Sequence, residues 1–116
     1  MSDGSTPAER LSVIYAAYKS AYARRAEDLK HVGSTEEAQR ILDNVEALER
    51  AYLKAARQAL EANGPAVEEA YQAAKDACAK VDQAYQQAKG MADKIRAASA
   101  AADAVTNLVK KASARG

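Results

Sequence analysis

Apolar residues recur along this chain at alternating steps of three and four, the spacing that gathers one face of an α-helix. Between residues 38 and 62 the series is Ala38, Ile41, Val45, Leu48, Tyr52, Ala55, Ala59 and Ala62. A second series runs Val67, Tyr71, Ala74, Cys78, Val81, Tyr85, Ala88, Ala92 and Ile95. The N-terminal part follows with Leu11, Tyr15, Tyr18, Tyr22, Arg25, Leu29 and Val32. The two-residue alternation of a half-buried strand is missing throughout. The pattern therefore predicts an all-α protein packed through heptad-like seams.

Two clusters of breakers divide the pattern. Gly33 suits a helix C-cap, and Ser34-Thr35-Glu36-Glu37 reads as a capping box opening the next helix. Asn63-Gly64-Pro65 places glycine past one helix end and proline at the start of another. Pro7 opens the first helix in the same way. These signals predict helices at 7–31, 35–63 and 65–112 in a single domain spanning 7–112, with disordered ends at 1–6 and 113–116. Acids near the helix starts and Lys30, Lys110 and Lys111 near two ends agree with the helix dipole, while Glu61 opposes it.

Short turns make consecutive helices antiparallel. Tyr22 then falls opposite Val45, Tyr18 opposite Leu48 and Tyr15 opposite Tyr52. Pairing across Gly64 sets Cys78 near Tyr52 and Tyr85 near Val45. The third helix outlasts its partner by roughly 19 residues, an overhang of about 28 Å at the usual rise. We favour a three-helix antiparallel bundle with one long, kinked C-terminal helix, because the seam passes Gly90 without a change of phase. The alternative is a four-helix up-down bundle in which the chain turns at Gly90, with Asp93 as N-cap and Met91 in contact after the glycine.

Composition narrows the core and the partners. Hydrophobic residues are 48% of the 116, but Phe and Trp are absent, so six tyrosines carry all the aromatic bulk. Such a core fills by close backbone approach. Charged residues are 28% with a formal net charge of +1, which argues against a nucleic-acid binder driven by a basic face. No apolar run suits a bilayer span, so no membrane association is expected. The N-terminus lacks the regions of a signal peptide, and the single cysteine fits a reducing compartment; a cytoplasmic location is expected. The repeated Ala-Tyr pairs, with Ala70-Tyr-Gln-Ala-Ala-Lys75 echoed at Ala84-Tyr-Gln-Gln-Ala-Lys89, read as seam periodicity over two heptads.

Candidate chemistry is sparse. A metal or acid–base site inside a bundle needs inward carboxylates, and none falls on the seams. The only histidine, His31, has Glu27 and Asp28 behind it on the helix, a trio better read as a helix-end cation than as a metal site. Cys78 lies on a seam, where a buried thiol is inert. The scattered glycines make no phosphate-cradling loop. Arg25 is the one charge on a seam and is placed near Asp43, as a rim ion pair. Tyr15, Tyr18 and Tyr22 form a packing stripe whose hydroxyls reach solvent.

No catalytic, cofactor-binding or metal-binding residues are therefore expected, and no small-molecule ligand. The overhanging helix carries a stripe of Ile95, Ala98, Ala102, Val105, Leu108, Val109 and Ala112 that needs a cover. The sequence accordingly predicts a small non-enzymatic interaction or scaffold protein. It would form a homo-oligomer, or dock another protein, through Ile95, Ala98, Ala102, Val105, Leu108 and Val109. An amphipathic protein coating a lipid or polymer granule is the alternative, disfavoured by the lack of Phe and Trp.

Overall fold

The computed structural model describes residues 4–113, and these form four helices. They are α1 (Pro7–Leu29), α2 (Thr35–Arg57), α3 (Pro65–Gln86) and α4 (Met91–Ala112), with no strand among the described residues. The all-α expectation holds. The long third helix does not: the chain turns back before residue 91, as in the four-helix alternative.

The turn is not made by Gly90. Gly90 has an ordinary extended φ of −64° and serves as the N-cap of α4, the place expected for Asp93. The left-handed residue is Ala88, at φ 53°. The Lys89 N–H donates to the Ala84 carbonyl at 3.0 Å and the Ala88 N–H to the Tyr85 carbonyl at 3.2 Å. This is a Schellman motif with alanine where glycine is usual. The apparent continuity of the seam was a coincidence of alanines: Ala88 and Ala92 are both exposed.

Helix α2 ends six residues before its expected limit. Gln58-Ala-Leu-Glu-Ala has good helix propensity, but Gln58 is extended (φ −117°, ψ 137°), and the chain crosses to α3 through residues 58–64. Leu60 plugs into the core at 3% exposure. The Ala62 N–H donates to the Ala112 carbonyl at 2.9 Å, capping the end of α4. Gly64, at φ 123°, then redirects the chain into Pro65. A seven-residue extended segment reaches roughly 23 Å, enough to cross the end of the bundle. As a result α2 and α3 make no contact, and the pairings of Cys78 with Tyr52 and of Tyr85 with Val45 do not form as an α2–α3 seam.

The helices pack as two antiparallel hairpins, α1–α2 and α3–α4, laid side by side. Across the hairpins α1 runs parallel to α3, joined by Arg10–Glu68, Arg24–Asp82 and Asp28–Tyr85 at nearly constant sequence separation. Helix α2 runs parallel to α4, where Asn44 and Ser99 exchange hydrogen bonds of 3.0 and 3.3 Å. Helix α1 also touches α4 across the middle. In the α1–α2 hairpin the expected register is present: the Tyr15 and Tyr52 rings are 4.9 Å apart, and Tyr18 stacks on Tyr52 at 5.8 Å.

The buried face of α1 lies one residue off its expected stripe. Arg10, Ile14 and Asp28 are buried, whereas Tyr15 and Tyr22 are 42% and 50% exposed. The tyrosines fill the outer edge of the α1–α2 interface, and the inward face carries two charged residues that the apolar pattern could not reveal. Arg25 lies against the Tyr22 ring at 4.4 Å rather than in an ion pair with Asp43.

Arg10 is the fully buried charge, at 0% exposure. Its Nη1 donates to the carbonyls of Leu60 (2.6 Å) and Ala62 (2.9 Å), and its Nε to Ser5 Oγ (2.8 Å). Its Nη2 reaches the Ser5 carbonyl, Asn63 Oδ1 and Glu68 Oε2. Ser5 and Thr6, placed in a disordered leader by the sequence, are thus held, with Thr6 capping α1. Expectations for residues 1–3 and 114–116 lie outside the described residues. The Ser5 N–H, then its hydroxyl and Arg10, hold the Glu68 carboxyl below the usual range.

Two stability outcomes follow from these geometries. Arg10→Met strands two loop carbonyls and Glu68, and should cost about 3–5 kcal/mol in urea unfolding. Ala88→Gly removes the left-handed penalty and should stabilise by about 1 kcal/mol, read as a higher urea midpoint at unchanged slope.

Candidate functional site

Side-chain volume is distributed unevenly along the bundle. Toward the Arg10 end, Ile14, Leu48, Leu60, Val67, Val105, Leu108 and Val109 form one contiguous core with interleaved alanines. Toward the other end, α1 offers Ala16, Ala17, Ser20 and Ala21, and α3 offers Cys78 and Ala79. These small residues leave space. The result is a half-enclosed cavity of about 330 Å³ touched by all four helices.

Its floor is largely apolar: Ile41, Val45 and Leu48 come from α2, with Asn44 among them, and Ile95, Ala98 and Ala101 from α4. Val81 closes it from α3. The exposed lining residues belong to α1 (Ala16, Ser20) and α3 (Lys75, Ala79, Asp82), so the mouth opens between these two parallel helices. The volume lies within the range typical of small-molecule sites, which are mostly apolar with a few placed polar groups.

The charged groups, Lys75 apart, gather at one end. Arg24 Nη2 pairs with Asp82 Oδ1 at 2.8 Å, bridging the mouth. The Tyr85 hydroxyl donates to Asp28 Oδ2 just beyond it. The Arg24 guanidinium carbon sits 4.3 Å from the Tyr85 ring centroid, and Lys94 Nζ sits 4.8 Å from the same centroid. Burial, followed by the hydrogen bond to the Asp28 carboxylate, pushes the Tyr85 phenol well above its usual range. Burial also raises the Cys78 thiol, reinforced by Asp82. Neither group supplies an anionic nucleophile at neutral pH.

The residues singled out from the sequence are distributed differently. Ile95, Ala102, Val105, Leu108 and Val109 are buried inside the bundle, at 5% exposure or less, and Ala98 is half-buried in the cavity floor. The stripe that needed a cover is covered by this chain's own helices. Cys78 lies on the cavity wall rather than in a sealed core. The His31 trio is not assembled: His31 Nε2 bonds Glu27 Oε2 at 2.9 Å, while Asp28 turns inward to Tyr85. No group of three potential metal ligands occurs among the described residues. No described helix is long and apolar enough to cross a membrane.

The sequence concealed the cavity because a cavity is made by what side chains lack. Alanine, serine and cysteine at 16, 17, 20, 21, 78 and 79 carry no motif. On α1 the charges that face the site, Arg24 and Asp28, lie one residue off the apolar stripe, where the spacing assigns them to solvent. No protein-family model, curated protein or solved structure matches the chain, so its function is read from this geometry.

The Tyr85–Asp28 bond has a pH signature. A phenol raised on folding contributes stability that is present below its unfolded pKa, near 10, and is lost as pH rises toward the folded value. Unfolding free energy should therefore fall above about pH 10. In Tyr85→Phe that alkaline slope should be shallower, as measured by urea titrations at neutral pH and at high pH.

Proposed function

We propose that this chain is a non-catalytic binding module that holds a small, largely apolar molecule in the cleft between α1 and α3. One observation carries the proposal: a mostly apolar, half-enclosed cavity of about 330 Å³ between helices that are pinned together at both ends. The dimensions favour a small molecule over a peptide helix. A helix with its side chains is about 10–12 Å across. To lie in the mouth it would have to break the Arg24–Asp82 bridge at one end or the Arg10–Glu68 pair at the other.

The chemistry favours binding over catalysis. Asp28 is engaged by Tyr85 and Asp82 by Arg24, while the phenol and thiol in the lining are held protonated. An apolar ligand gains by leaving water for the floor of Ile41, Val45, Leu48 and Ile95, at roughly 25 cal/mol per Å² buried. Of the expected docking stripe on α4, Ile95 and Ala98 line the cavity, and Ala102, Val105, Leu108 and Val109 are buried among this chain's own helices. A role in assembly would instead have to use the exposed tyrosines of α1 and Leu42 and Leu53 of α2.

Cys78, the only thiol, reports on occupancy from inside the cleft. The uncharged dye N-phenyl-naphthylamine should bind with one site per chain and slow alkylation of Cys78 by iodoacetamide at least about tenfold at saturation. Ala98→Leu, which fills the floor, should abolish dye binding while leaving the helical circular dichroism intact. Dye binding that leaves Cys78 equally reactive, or survives Ala98→Leu, would place the ligand elsewhere and refute the proposal.

A further inference from the structure

We infer that the cleft's ligand is an amphiphile with a single anionic head, such as a carboxylate on an alkyl chain. The head would be held between Arg24 and Lys94, and the tail laid along the floor. The inference rests on the cleft being a binding site, and adds the charge and orientation of what it holds.

The charges around the cavity are unequal in number and in commitment. Three cations, Arg24, Lys75 and Lys94, line it against two carboxylates, Asp28 and Asp82. Both carboxylates are engaged: Asp28 accepts from the Tyr85 hydroxyl and Asp82 pairs with Arg24. Lys75 and Lys94 have no carboxylate within ion-pair distance among the described residues, and each ammonium rests only against a tyrosine ring. The donors left over at the mouth are therefore cationic, and an anion completes them.

Two features place the head at the Tyr85 end. Arg24 and Lys94 both lie over the Tyr85 ring, from α1 and α4 respectively, so two positive charges flank this end of the cavity. Lys94 is half-buried, where a charge interaction is screened less than at an exposed position. Lys75 is exposed, and its ammonium lies over Tyr71, one turn away from the cavity's middle. From Arg24 and Lys94 the floor continues through Ile95, Val45 and Ala98 to Leu48 without another ionisable group. The lining on α1 runs from Val13 to Asp28, about 22 Å of helix, so an extended ten-carbon chain fits within it.

The test compares decanoate, decanol and decylammonium, each competing with the bound dye and protecting Cys78 from iodoacetamide, at low salt and neutral pH. Decanoate should bind about tenfold or more tightly than decanol, equivalent to about 1.4 kcal/mol, and decylammonium most weakly. In Lys94→Met, which keeps the aliphatic stem, the advantage of decanoate over decanol should vanish. Lys94→Glu should reverse the order in favour of decylammonium, and Lys75→Glu should leave decanoate's preference within about twofold of the parent. Equal binding of decanoate and decanol, or a preference that survives Lys94→Met, overturns the inference while the cleft remains a binding site. Failure of all three, together with failure of the dye, refutes the cleft itself.

Discussion

The fold depends on one buried cation. Arg10 gathers four pieces of chain that would otherwise have no reason to meet: the segment before α1, the α2–α3 crossover, the start of α3, and α1 itself. A guanidinium suits this role because its donors are fixed in a plane and point outward in several directions. Two of its acceptors are main-chain carbonyls of the crossover, which is why residues 60–62 leave the helical conformation that their propensity favours. Leu60 then fills the core, and Ala62 is free to cap α4. A buried charge costs several kcal/mol to desolvate. Here the cost is offset because all three guanidinium nitrogens donate, and no buried side-chain polar atom among the described residues lacks a partner.

The same node determines topology. With a tight turn at Gly64, α3 would have packed back along α2, as the sequence suggests. An extended crossover instead carries α3 to the far side of the hairpin, beside α1 and parallel to it. Helices α2 and α4 become the parallel neighbours that Asn44 and Ser99 hold in register, a common use of a polar pair in an otherwise apolar interface. The long α2–α3 distance and the short α1–α4 contact give the flattened section, 27 by 18 Å across a 46 Å length.

What was legible in the sequence divides along physical lines. Helical identity, the first turn and the α1–α2 register could be read because apolar spacing and capping residues act locally. The stop of α2 could not, since the competing partner, Arg10, is fifty residues away. The turn after α3 reads from the sequence as a kink in one long helix, because a Schellman motif needs a left-handed residue and here Ala88 takes it, two residues before the turn's only glycine. The α4 stripe was recognised as a face in need of burial, but not what would bury it. Least legible was the cleft, because its inward charges, Arg24 and Asp28, sit on a face that an apolar count assigns to solvent.

Why the cleft stays open follows from the lengths of its pins. Helices faced with alanine can approach to the lower end of the usual 8–10 Å separation. Along α1 and α3 every cross-link uses at least one long side chain: Arg10 to Glu68, Arg24 to Asp82, Tyr85 to Asp28. These pairs hold the two axes apart, and the small residues between them are too short to fill the gap. Lengthening those residues or shortening the pins would each close it. The cavity is therefore a consequence of mixing long polar and short apolar residues on facing helices, with the dense core around Ile14, Val105 and Leu108 supplying the stability that an unfilled cleft does not.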